Sequence, residues 1–391
     1  ITPLTQPRRA EAWGLESETL FAGWPTGAAN SDAALMLDIV SSVLSNGNCG
    51  LIDINLTQEQ KVLYAAASAD QLSDAGFMML FGMPKQGQTL EQVEALLLEQ
   101  VNALRNGEFE ESLLNAIIAN YKRDLMVSYE DNFNRCYAMA LSFINQNEWA
   151  DVVSKLDRAS KITKEDVIAW ANKNLTEDTL VTVYKRQGED KNQKKIDKPQ
   201  ITPIATNRDN QSEFLKAIAG SKVAPIAPRF TDYERDMDIF TLSNGLEVLY
   251  KQNELNERFE LVYLYDFGTD NDPALSVARE YMSLLGTEEK SLAQIMSEQY
   301  ELACDVSFSP SRNNFYVTVS GIAENMPAAM ALAEDYMANV VGEDDVLAEV
   351  KSDILKERAN NKANQRANYN ALQRYVLYGA DYVARTTLTN E

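Results

Sequence analysis

The sequence predicts an α+β protein of two related domains, each a mainly antiparallel sheet packed with helices, the second incomplete at its C-terminus. Three observations predict it. First, 391 residues are too many for one ordinary core, and a composition of 45% hydrophobic and 24% charged residues belongs to a chain that buries cores. Second, one order of elements (hairpin, helix, Gly-Glu break, helix) occurs twice. Third, a charged, proline-punctuated stretch separates the two occurrences. The expected boundaries are residues 1–186 for the first unit, 187–235 for the linker and 236–391 for the second.

In the first unit, Asp38 to Leu44 reads as the end of a helix, Asn46 to Gly50 as a turn, and Leu51 to Lys61 as the approach to a strand at Tyr64. Leu63 to Ala69 and Gly76 to Met83 are short apolar strands joined by a turn at Ser73-Asp74-Ala75. Leu90, Val93, Leu97, Val101 and Leu104 follow helical spacing behind an N-capping Thr89. Gly107-Glu108 interrupts, and Leu113, Ile117, Ile118 and Tyr121 resume the period. Tyr137 to Phe143 continues the unit. A cap signal at Thr163 to Asp166 then opens a helix, and Thr179 to Tyr184 closes as a strand.

The linker carries Gln187 to Pro199, two further Pro-containing stretches up to Pro228, and one short helix over Gln211 to Ile218. In the second unit, Phe240 to Tyr250 opens, Glu260 to Phe267 is a strand, and a helix follows over Ser276 to Thr287. Asp305 to Ser309 and Asn314 to Ser320 alternate as strands around a turn at Pro310 to Asn313. Met330, Ala333, Met337 and Val340 read as a helix, Gly342-Glu343 breaks it, and Val346, Val350 and Ile354 resume it. After Leu372 to Tyr378, no counterpart of Ile162 to Tyr184 follows, so the chain is expected to end inside a domain.

A net charge of −22 and a pI near 4.5 repel phosphate backbones and anionic membrane surfaces, so no nucleic-acid partner is expected. No window reaches the roughly 18 to 20 apolar residues of a membrane span. Ile1-Thr2-Pro3 carries neither an initiator Met nor a basic-then-apolar leader pattern. A processed product or a piece of a longer protein is expected, with room for a signal peptide upstream. Cys49, Cys136 and Cys304 form no C-x-x-C pair and read as buried thiols. The chain has no histidine, which excludes Ser-His-Asp and Cys-His nucleophile systems and any His-liganded metal.

The segment Leu242-Ser-Asn-Gly-Leu-Glu-Val248, then a strand ending in Gly268, then a helix, resembles the opening of a domain in the pitrilysin, insulysin and mitochondrial-processing-peptidase family of zinc peptidases. The resemblance implies a processing-peptidase-like fold, paired α+β domains enclosing a chamber. It also implies a helix that, in working domains, carries H-x-x-E-H, with a further Glu ligand some seventy-odd residues on. The spacing puts two imidazoles on one helical face. Counting back from Gly286-Thr287, the two His positions fall on Val277 and Tyr281 and the inner Glu on Glu280, while Glu357 stands near the place of the third ligand. Two Glu without a His make a poor zinc site, and both read more simply as surface or salt-bridged residues. No catalytic, cofactor-binding or metal-ligating residue is therefore assigned in this chain.

In family order, residues 1–186 resemble a second domain and 236–391 most of a metal-less third. The resemblance implies zinc in a first domain preceding Ile1, and a fourth domain following Glu391. Family members also carry a Gly-rich turn, an Arg, and a Tyr seven positions later. Here Tyr64 holds the Tyr position and Thr57 the Arg position, and a hydroxyl cannot supply a guanidinium's charge or forked donors.

The expected function is thus a share of a zinc metalloendopeptidase: chamber wall and substrate-contact surface for a peptide or unfolded polypeptide, inactive by itself. A non-catalytic partner subunit or assembly scaffold, paired with a separate active peptidase, is the alternative. A carboxylate-pair hydrolase such as a glycosidase finds no spacing that singles out a pair. The resemblance points to the periplasm of a Gram-negative bacterium; sequence alone leaves localisation, substrate and oligomeric state open.

Overall fold

The computed structural model describes residues 4–31, 33–190, 197–204 and 206–390. Ile1-Thr2-Pro3 and the linker residues 191–196 and 205 lie outside that set. The chain divides into two compact units, residues 1–190 together with 255–391, and residues 191–254.

The larger unit begins with strands β1 (Arg8–Gly14) and β2 (Thr19–Thr26) and helix α1 (Ala33–Leu44). A π-helical turn over Asp53–Gln58 leads to β3 (Tyr64–Gln71) and β4 (Gly76–Met83). Helices α2 (Leu90–Asn106), α3 (Ser112–Glu130), α4 (Asn132–Ile144), α5 (Trp149–Val153), α6 (Lys155–Ala159) and α7 (Lys164–Asn174) follow, and β5 (Val181–Gln187) closes the first repeat. The sheet order is β1-β5-β2-β4-β3, parallel at β1–β5 and antiparallel elsewhere.

Helix α2 shows how the sequence builds this layer. Thr89 closes a capping box with Gln92, and Gly107 ends the helix at φ 75°, a left-handed position that glycine takes without steric cost. Its apolar stripe, Leu90, Val93, Leu97, Val101 and Leu104, is buried against the sheet. The approach is close. A Cβ on Gly82 would stand 2.5 Å from Val93 Cγ1 and 3.0 Å from Leu97 Cδ1.

The smaller unit contains α8 (Glu213–Ala219), capped by Ser212, the short α9 (Tyr233–Asp236), and a hairpin of β6 (Asp238–Thr241) and β7 (Glu247–Tyr250) turning at Gly245. The stretch Phe240 to Tyr250, expected to open the second unit, forms two short strands. Its Asn244-Gly245 pair supplies the turn, with the Asn244 side chain accepting from Leu246 N at 3.0 Å.

The larger unit resumes with β8 (Arg258–Tyr265), α10 (Leu275–Met282), α11 (Leu292–Glu301), β9 (Cys304–Pro310), β10 (Phe315–Ile322), α12 (Met326–Asn339), α13 (Asp344–Asn361) and α14 (Gln365–Arg385). Its sheet runs β8-β10-β9, antiparallel throughout. The duplication is legible in the pairing itself. A single shift of 239 residues carries β2-β4-β3 onto β8-β10-β9: Leu20 pairs with Gly82 as Phe259 pairs with Gly321, and Ala65 pairs with Gly82 as Cys304 pairs with Gly321.

The two repeats are joined through α3 and α11. Tyr300, 5% exposed, lies in the core of the first repeat although it belongs to the second. Asn120 Nδ2 donates to the Tyr300 carbonyl at 2.7 Å, and Arg123 pairs with Asp305 at 2.9 Å. Cys49 and Cys304 are buried, but Cys136 is exposed on α4, which corrects the expectation of three buried thiols. Helix α4 turns an apolar flank (Phe133, Tyr137, Phe143) to solvent, and Cys136 stands on the same short helix.

Candidate functional site

Helix α10 packs against α13, bringing together the positions singled out on each. Partial desolvation on the α10–α13 face first, and the Glu357 charge second, raise the Glu280 carboxyl above its ordinary range although the residue as a whole is exposed, against the pull of Arg279. The two carboxylates therefore feel each other across the helix pair. Tyr281 is engaged elsewhere: its Oη donates to the Glu343 carbonyl at 2.9 Å and accepts from the Glu343 N–H, pinning the start of α13. Val277 is half-buried and offers no donor atom. Two exposed carboxylates, a phenol already bonded to backbone and an isopropyl group do not make a tetrahedral nitrogen and oxygen donor set, so the residues present do not fit zinc. Among the described residues no group of three or more His, Cys, Asp or Glu is placed to hold a metal ion.

The second candidate, the turn Ser45 to Gly50, is organised around one buried carboxylate. Asp53 Oδ2 accepts the backbone N–H groups of Asn46, Gly47 and Gly50 at 2.7, 2.9 and 3.0 Å, while Ser45 Oγ donates to Oδ1 at 3.0 Å. Asn46 Oδ1 takes the N–H groups of Asn48 and Cys49, and Gln58 Nε2 donates to the Asn48 carbonyl at 2.6 Å. These donors are spent within the loop rather than offered to a ligand.

Burial, assisted by Asp53, pushes the Cys49 thiol up to about 12, so it is neither nucleophile nor metal ligand at neutral pH. Thr57 sits exposed on the π-helical turn, and Tyr64 is half exposed, edge-on to Phe81 with ring centroids 5.5 Å apart. A π-helical segment adds a residue per turn and re-aims the side chains that follow. Spacing counted along the sequence could not register it.

Sequence reasoning missed a third cluster. Glu94, 7% exposed, projects from α2 beneath the sheet and accepts from Arg9 Nη2 at 2.6 Å, Thr182 Oγ1 at 3.0 Å and Tyr184 Oη. It borders a cleft of about 510 Å³. Burial and the Glu94 carboxylate push the Tyr184 hydroxyl up to about 12, so it stays a donor. The available signal was a Glu between Val93 and Leu97 on the core-facing side of a helix, which must find a partner when buried. The partner lay 85 residues away on β1.

No family model matches the sequence, and no curated protein matches it. Solved structures do match. Pitrilysin is 14% identical over 91% of this chain and 40% of its own, with a TM-score of 0.51. The periplasmic protease PqqL from Escherichia coli is 14% identical over 99% of this chain and 46% of its own, at a TM-score of 0.37. The inactive peptidase domain of a zinc protease from Bordetella parapertussis is 18% identical over 49% of this chain and 97% of its own, at 0.41. The chain spans less than half the length of pitrilysin and PqqL. Its fold is that of the pitrilysin-like zinc proteases.

Proposed function

We propose, from that fold, that the chain is a metal-less portion of a pitrilysin-like zinc metalloendopeptidase, its residues 1–186 a second-domain-like unit and 236–391 a third-domain-like one. Its role is to wall a peptide-binding chamber and contact an extended peptide or unfolded polypeptide, while zinc chemistry belongs to another domain. The observation that carries this reading is the duplicated sheet, β2-β4-β3 repeated as β8-β10-β9, in a fold shared with pitrilysin; in the register read from the sequence, α10 carries Val277 and Tyr281 at the two histidine positions.

Exposed apolar surface supports it. Leu372, Val376 and Leu377 on α14 are 61 to 72% exposed, and Val262 and Leu264 open the outer face of β8 to solvent. Exposed apolar side chains grouped on one element suit contact with further polypeptide. A non-catalytic subunit that pairs with a separate active peptidase would use the same faces, and a periplasmic setting suits either form.

Two measurements test the reading. The purified 391-residue chain is expected to carry no stoichiometric zinc and to leave an unstructured peptide uncut; metal-dependent cleavage by this chain alone would overturn it. An in-frame H-x-x-E-H in the coding region upstream of Ile1 is expected, whereas a degenerate helix there favours the partner-subunit form.

A further inference from the structure

Between α1, α3 and α6 the first repeat forms a half-open pocket of about 100 Å³. Lys155 of α6 reaches it: its Nζ lies 2.5 Å from Asp38 Oδ2 and 5.4 Å from the centroid of the Tyr121 ring. The other Asp38 oxygen accepts from Gln71 Nε2 at 2.6 Å. Asn120, 3% exposed, also lines the cavity. Its Nδ2 gives both hydrogens to backbone carbonyls, Ala116 at 2.8 Å and Tyr300 at 2.7 Å, which fixes the amide orientation and leaves Oδ1 buried without a donor. Ile39, Ile117 and Ala159 supply apolar wall. The pocket thus offers a carboxylate and an aromatic face to one cation, with Asn120 in its lining.

We propose that this pocket is a cation site built from Asp38 and Tyr121, in which the Lys155 ammonium is the resident cation and which accepts a small primary alkylammonium ion when that side chain is cut back. The chemistry favours a primary ammonium. It carries N–H donors and a charge for the Asp38 carboxylate, and it fits against the face of a ring.

Burial would lower the Lys155 ammonium, but Asp38 and Tyr121 outweigh it and hold the group above the ordinary lysine range. Asp124, the other carboxylate at the cavity, is already paired with Arg123 at 2.9 Å and does not compete. Tyr300 of α11 completes the lining, so the site adjoins the joint between repeats. The second repeat has no counterpart, because the shift of 239 residues that relates the strands carries Asp38 to Val277 and Ser42 to Tyr281.

The test is chemical rescue in the full chain. Lys155→Ala is expected to lower Tm by roughly 2–4 °C. n-Butylammonium chloride should restore at least half of that loss, saturably, while tetramethylammonium chloride at equal ionic strength does not. Adding Asp38→Asn to Lys155→Ala should abolish the rescue. Equal effects of the two salts, rescue that survives Asp38→Asn, or no rescue in a folded Lys155→Ala protein would each overturn the proposal. Should Lys155→Ala fail to fold, Lys155→Met and Asp38→Asn are combined instead. A double variant that loses clearly less Tm than the sum of the two single losses supports the site, and strict additivity overturns it.

Discussion

Asp53 shows how much one side chain can decide. Its carboxylate gathers three backbone N–H groups and the Ser45 hydroxyl, and at 6% exposure it does so away from water. Asp53→Ala is expected to cost about 2–4 kcal/mol, because the loop N–H groups lose a charged acceptor. The measurement is the urea midpoint; an unchanged midpoint would mean the loop holds without the carboxylate.

Glu280 gives the opposite sign. A carboxyl whose folded pKa is raised binds more protons folded than unfolded, so its contribution is intact below the unfolded value near 4.3 and is lost as pH climbs through the raised value. Glu280→Gln stays neutral throughout. Its Tm should match the parent at pH 4 and exceed it at pH 7, and a difference that does not change with pH would contradict the raised Glu280 carboxyl.

At the scale of elements, the helix-on-sheet layer was legible wherever a period and a cap coincided. The Thr89 and Thr163 caps, the α2 stripe and the hairpin strands stand where spacing placed them, because capping and amphipathicity are local properties. Strands β1 and β2 carried weaker signals. Arg8–Gly14 is an exposed edge strand with no apolar face, and its place is set by parallel pairing to β5, some 170 residues on.

The close α2–β4 approach yields a prediction of its own. Gly82→Ala should cost about 1–3 kcal/mol by driving a Cβ into Val93 and Leu97. Val93→Ala on that background should return part of it, which paired denaturation curves would show. If the pair instead loses the sum of both single costs, Val93 is not what Gly82 makes room for.

For the whole molecule, the question is what the exposed apolar faces cover. If α14 meets further polypeptide, its solvent face contributes little to this chain's own stability. Leu372→Asp with Val376→Asp is expected to change stability by less than about 0.5 kcal/mol while reducing self-association in light scattering. A large loss of stability would instead place that face in this chain's own core.

The sequence by itself determined the fold class, the duplication and the absence of imidazole, because these depend on residue identity and short-range period. Tertiary structure alone decided the rest. It seated Tyr300 in the other repeat's core, set Lys155 against Asp38 across 117 positions, closed the glycine-rich turn around Asp53, and brought Glu280 within electrostatic reach of Glu357. Pairings across such distances are chosen by packing and desolvation, which no local pattern encodes. The turn shows the difference best. Its glycines announce a loop, but only the buried carboxylate reveals that the loop's donors are spent on its own fold.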